Sequence, residues 1–126
     1  MFNDEELAGY RRMQEEAMLE TAEVYRNTLS NKPSGGFSQT EQLVMATRCR
    51  VSVTGRSPEE KIIAERAGVT MAYTLTFPAG TEIREADRVV ITASGTGMPV
   101  PRKFDVIAPV RRSYETARRV VCEEKL

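Results

Sequence analysis

The side chains of this chain that could do chemistry are carboxylates, two thiols, hydroxyls and a set of arginines; histidine is absent. That absence removes the commonest general base and the commonest metal ligand. Cys49 and Cys122 are the only cysteines, far apart and without a CxxC partner. They predict no zinc site and two buried, weakly polar thiols in a reducing, intracellular setting. Ser57 and Ser113 have no histidine to activate them. Glu59, Glu60 and Glu65 fall in a charged helical segment, and Glu82, Glu85 and Asp87 flank a turn. An acid–base pair needs burial and displaced pKa values, whereas this placement predicts solvated carboxylates. The glycine-rich "SGTGMP" lacks the spacing of a phosphate-binding loop and leads into a proline-containing strand start. The residues therefore predict no enzyme, no metal and no cofactor.

Nucleic-acid binding has more to stand on. Arg48, Arg50, Arg111, Arg112, Arg118 and Arg119 sit on predicted strands or strand ends. Were their faces to coincide, they would form a basic patch for phosphates. The plainer reading is a solvated strand face, partly paired with Glu115, Glu123 and Glu124. Tyr73 and Phe77 read as core and not as base-stacking platforms. A stand-alone barrel that binds single-stranded nucleic acid is thus an alternative. Acids and bases balance at 18 each, so no net charge draws the chain to nucleic acid or membrane. Their distribution is uneven. Residues 1–46 hold eight acids and four bases, and residues 47–126 hold ten acids and fourteen bases. Parts of net −4 and +4 suit head-to-tail contact between copies.

The elements that carry these residues follow from local pattern. The length of 126 residues fits one domain. "MFNDEELAGYRR" is acidic and polar and is no signal peptide, and no apolar run approaches a membrane span. Asn3, with Glu6 three residues on, caps a predicted N-terminal helix within residues 1–18. The sequence turns β-compatible from Leu19 to Leu29, and "SNKPSGGFSQ" supplies a hairpin loop. From Leu43 to Val53, Leu43, Met45, Cys49, Val51 and Val53 alternate with Arg48, Arg50 and Ser52, which predicts one buried face.

Within the inserted segment 54–69, Ser57 as cap, Pro58 at the first helical position, Glu60 in a capping box and Gly68 as terminator predict a short helix. Such a helix is too short to stand alone. Ile62, Ile63 and Ala67 must therefore dock on the sheet or on a neighbouring subunit. Thr70 to Phe77 alternates Met71, Tyr73, Leu75 and Phe77 against Ala72, Thr74 and Thr76. Further strands are predicted at Val89 to Ala93, Lys103 to Ala108 and Ala117 to Glu123, with Pro109 ending its strand or marking an edge and "EEKL" frayed. About six short strands with turn signals predict a mainly β fold, a small antiparallel barrel with an inserted short helix and an N-terminal helix. Ile83, alone between the turn at Pro78 to Gly80 and the next strand, is expected to plug the barrel end.

An ordered set of segments resembles a known family. They are "CRV" (Cys49 to Val51), a charged helix ending in "AER" (Ala64 to Arg66), "AYTLTFPAGTEIREADRVVI" (Ala72 to Ile91), "KFDV" (Lys103 to Val106) and "ETARRVVCEE" (Glu115 to Glu124). Across roughly residues 18–124 the chain is similar to the head–tail joining, or head-closure, proteins of tailed bacteriophages, also called stopper or neck proteins. The N-terminal "NDEELAGYRRMQEE" is longer and more helical than that pattern. The resemblance implies a β-barrel virion protein, made in the host cytoplasm, that assembles into a homo-oligomeric ring in the neck. It implies a portal or adaptor protein on the head side, a tail-terminator or tail protein on the other, and non-specific contact with packaged double-stranded DNA. It implies closure of the portal channel by the inserted segment, with Arg56, Lys61 and Arg66 as channel or gate residues. Ile62, Ile63, Glu82, Glu85 and Arg88 are the expected subunit-interface residues. The same resemblance admits an adaptor or tail-completion ring.

Overall fold

In a computed structural model the described residues are 3–31, 33–53, 58–68, 72–110 and 117–125. Helix α1 (Asp4–Glu16) begins where Asn3 Oδ1 accepts the Glu6 N–H at 2.8 Å, and three acids line its first turn. That is the cap its sequence predicts, and the acids face the positive helix end. It leads into β1 (Glu20–Asn31), which pairs antiparallel with β2 (Phe37–Val53) as a long hairpin. Helix α2 (Pro58–Arg66) follows, and Gly68 near its end has φ +71°. This is a left-handed position that glycine adopts without a Cβ clash. Strands β3 (Tyr73–Pro78), β4 (Arg88–Ser94), β5 (Arg102–Val110) and β6 (Ala117–Lys125) complete the chain.

These strands close into an antiparallel barrel in the order β1-β2-β3-β6-β5-β4. A six-stranded barrel is narrow enough for side chains to fill it. Val24, Cys49, Leu75, Phe77, Ile91, Phe104, Val120 and Cys122 are all fully buried inside, each large apolar side chain contributing about 1.5–3 kcal/mol. A second, outer cluster of Ala72, Val110 and Val121 packs against Ile63 and Ile107, where α2 lies on β5 and β6. Helix α1 lies against β3 and β6. On β3, against which α1 lies, Thr74 and Thr76 are as buried as Leu75 and Phe77. The alternation in "YTLTFP" therefore separates two buried faces, not a buried face from a wet one.

The order also explains the isolated isoleucine. β3 and β4 lie on opposite sides of the closed barrel. Residues 79–87 must therefore cross its end, and Ile83 drops into the core there, 3% exposed. The backbone of this crossing is tied to β5 by Ala86 N–H to Val106 O at 3.0 Å and Val106 N–H to Asp87 O at 2.8 Å. At the opposite end Gly95 passes over Leu19, donating its N–H at 2.8 Å; a Cβ on Gly95 would come within 2.9 Å of the Leu19 carbonyl oxygen.

Three sequence expectations are corrected. Leu43 was assigned to the buried face and is 55% exposed. A bulge between Val24 and Tyr25 in the register skips Val44, so Val24 opposes Met45 while Tyr25 opposes Leu43, and Leu43 turns outward with Tyr25. Val53, at the strand end, is 62% exposed. The tail "EEKL" is not frayed over its described part, because Glu123, Glu124 and Lys125 pair with β5. Of the two expectations for Pro109, the edge holds and the strand end does not. It lies inside β5 after a bulge at Ile107, where the ladder to β4 has already stopped at Asp105.

Candidate assembly surface

The residues singled out from sequence converge in part. Ile63 and Arg66 of α2, Ala67 just after it, Glu85 of the crossing, and Ile107 and Ala108 of β5 line one surface groove of about 350 Å³. The local sequence builds it. Ile63 of α2 packs onto the outer cluster. The bulge in β5 carries Ile107 to that same cluster. An apolar floor thus lies between a guanidinium on the helix and a carboxylate on the crossing, a shape and charge pattern suited to a polypeptide edge or helix. Of these, Ile63 and Glu85 were expected as subunit-interface residues and Arg66 as a channel or gate residue. Ile107 and Ala108 were missed; the apolar run before Pro109 was the available signal.

The other expected residues lie elsewhere. Arg56 is outside the described residues, and Lys61 lies in α2 with its side chain outside the described part. Ile62 faces away from the sheet, 47% exposed. Glu82 is exposed and accepts two hydrogen bonds from Arg84, at 2.8 and 2.6 Å. The Arg84 guanidinium holds its carboxyl below the usual carboxylate range. Arg88 reaches Glu41 of β2 at 3.1 Å, tying β4 to the hairpin within one chain.

Two acids predicted to be solvated are buried. Glu60, 1% exposed, points under α2 toward Arg119 of β6, 3.5 Å away. It pins the helix onto the barrel by charge as well as by Ile63; Ser57, the other half of its predicted capping box, is outside the described residues. Asp87, also 1% exposed, accepts a forked pair from Arg26 at 2.9 and 2.8 Å and the Arg84 N–H at 2.9 Å. The pairing raises the Arg26 pKa, the hydrogen bond to Asp87 being the main cause. It locks the crossing to β1.

The barrel end away from Ile83 carries a second cap that the sequence reading missed. Arg102 makes a forked bond to Glu124 at 2.6 and 3.0 Å. Its guanidinium carbon sits 5.2 Å from the Tyr73 ring centre and 5.1 Å from that of Phe104. The rings themselves meet edge to face at 5.6 Å. Hydrogen bonding from Arg102 lowers the Glu124 pKa.

The arginine set is divided. Arg50 and Arg119 flank Thr76 in register on the outer side, and Arg119 is already opposed by Glu60. Arg118 opposes Phe77, on the other side of β6. Arg48 donates toward the Glu15 carbonyl at 3.5 Å, and Arg111 and Arg112 are outside the described residues. Among the described residues no group of three or more His, Cys, Asp or Glu is placed to hold a metal ion. No described helix is long and apolar enough to cross a membrane.

Residues 10–123 match the sequence model of a family described as "Family of unknown function (DUF6093)". No curated protein matches the chain. Among solved structures it is similar to the solution structure of protein SF1141 from Shigella flexneri 2a, with a TM-score of 0.65 and 13% identity. That similarity covers 86% of this chain and 94% of the other. At that identity the likeness is one of fold.

Proposed function

We propose that this chain, which belongs to the DUF6093 family of unknown function, is a ring-forming neck protein of a tailed bacteriophage that closes the portal channel after DNA packaging and joins head to tail. The observation that carries the reading is the closed barrel with a helix inserted between β2 and β3, the arrangement that the resemblance of residues 18–124 implies. The α2 groove supports it further. It gathers Ile63, Arg66 and Glu85 on one outer surface, where an apolar floor with opposite charges at its sides suits contact between subunits. The uneven charge, acidic through residue 46 and basic beyond, fits a heterologous interface in which one patch meets a different one. In this role the chain works as a structural part of the virion, and its partners are other copies of itself, a portal or adaptor protein, and a tail protein.

The test is a phage stock whose particles lack this protein. Heads that package DNA but lose it, or that fail to take tails, are expected. Full heads that hold their DNA and bind tails normally would overturn the reading. An adaptor role predicts a different defect, loss of attachment of the next ring to the portal, and electron microscopy of the arrested particles separates the two.

A further inference from the structure

We infer that the β1–β2 hairpin is an assembly arm, and that the open edge of β2 between Gln39 and Ala46 pairs with the open β1 edge of a second copy of this chain. The inference rests on the ring reading and names the surface that makes the ring.

The barrel hides its strand edges by closure, but the hairpin outruns it. The ladder from β1 to β4 ends at Tyr25, and that from β2 to β3 begins at Arg50. β1 and β2 remain paired with each other out to Asn31 and Phe37. Among the described residues, Asn27–Asn31 therefore has β2 alone as a strand neighbour, and Gln39–Ala46 has β1 alone. The open stretch is five residues on β1, about 17 Å, and eight on β2. The bulge at Val44 sits where β1 leaves its partner β4, the position at which a bulge re-aims a strand.

An open edge of this kind is a template for another strand, and proteins that stay alone blunt it with charge, proline or shortness. Here charge and proline are sparse. Between Thr28 and Thr47 the only charges are Lys32 and Glu41, and the only proline is Pro33, in the loop. Glu41 is already paired with Arg88. Two arms can thus lie side by side without like charges meeting. Beside the edge, Leu43 and Val44 are 55% and 40% exposed. The occupant follows from direction. A second copy displaced sideways in the same orientation presents its β1 antiparallel to this β2, the relation the two strands already have within the hairpin. Repetition gives both open edges of every arm a partner, over the five residues that β1 offers, whereas a foreign strand would cover one.

Sedimentation of the full chain from micromolar to millimolar concentration, with hydrogen exchange on the same samples, tests this. Self-association is expected, with slowed exchange at residues 39–46. The doubly substituted Leu43→Lys/Val44→Lys chain, with an unchanged melting temperature, is expected to associate at least tenfold more weakly. Exchange on the unsubstituted chain needs no variant and stands even if that pair of lysines fails to fold. Association that the lysines do not weaken, or that leaves residues 39–46 exchanging freely, overturns the arm and leaves the ring reading in place. A chain that stays monomeric at millimolar concentration overturns the arm as well, while the ring reading is judged by particles lacking the protein.

Discussion

Arg26 and Asp87, 61 residues apart, form a forked ion pair in which the carboxylate is 1% exposed. It fastens the crossing that carries Ile83 to the strand that begins the arm. Removing Asp87 leaves the Arg26 guanidinium, 21% exposed, and the Arg84 N–H without their acceptor. Asp87→Ala is therefore expected to cost about 3 kcal/mol, read by urea denaturation. Asp87→Asn keeps an acceptor for the Arg84 N–H and is expected to cost less; equal losses for the two would show that the charge on Asp87 contributes nothing.

Ile83 should behave as core in spite of its polar neighbours. Ile83→Ala leaves a hole at the barrel end and is expected to lose about 2–4 kcal/mol, while Glu82→Ala next to it should change stability by less than about 0.5 kcal/mol. Thermal melts of the pair separate a plug from a passing loop residue.

Within α2 the two adjacent isoleucines should differ. Ile63 packs on the outer cluster and Ile62 is 47% exposed. Ile63→Ala is expected to destabilise the chain by about 1–2 kcal/mol and Ile62→Ala by under about 0.5 kcal/mol. The reverse order in denaturant melts would mean that α2 sits on the barrel by another face.

Acid should release the Arg102 cap. The folded-state pKa of Glu124 is lowered by Arg102, so the pair contributes stability above the unfolded glutamate value of about 4.3. That contribution is lost as pH falls through the lower folded value. Melting temperature is expected to drop below about pH 4, and Glu124→Gln is expected to flatten that part of the profile. A Gln variant with the same acid slope would show the pair to be silent.

The two thiols should be inert until the barrel opens. Burial, with the nearby Glu20 charge a smaller cause, pushes Cys49 up to about 12. Cys122 is raised further, again by burial first. Alkylation at pH 8 is expected to be roughly a thousandfold slower than for a free thiol, and to reach both residues in guanidinium. Rapid modification of the native chain would mean that the barrel opens readily.

What the sequence determined by itself was local. Asn3 with Glu6, and Pro58 with Gly68, mark helix ends through groups a few residues apart, and alternation around Leu75 and Val120 marks strands because side chains alternate faces with period two. These signals placed the elements, the mainly β class and Ile83 as a plug. Tertiary structure decided what depends on distant register. The order of closure puts β3 opposite β4 and sends residues 79–87 across the barrel end. One skipped residue at Val44 turns Leu43 outward. Asp87 and Glu60, which read as surface acids, are buried because Arg26 and Arg119 arrive from other strands. Of the groove, Ile63, Arg66 and Glu85 were legible as charged or apolar residues of a short helix and a turn. Their meeting with Ile107 was not, because it requires the bulge in β5 and the seat of α2 on the closed barrel. Periodicity reports which way a side chain points along its own strand; what it meets there is set by chain closure over many residues, which no local pattern encodes.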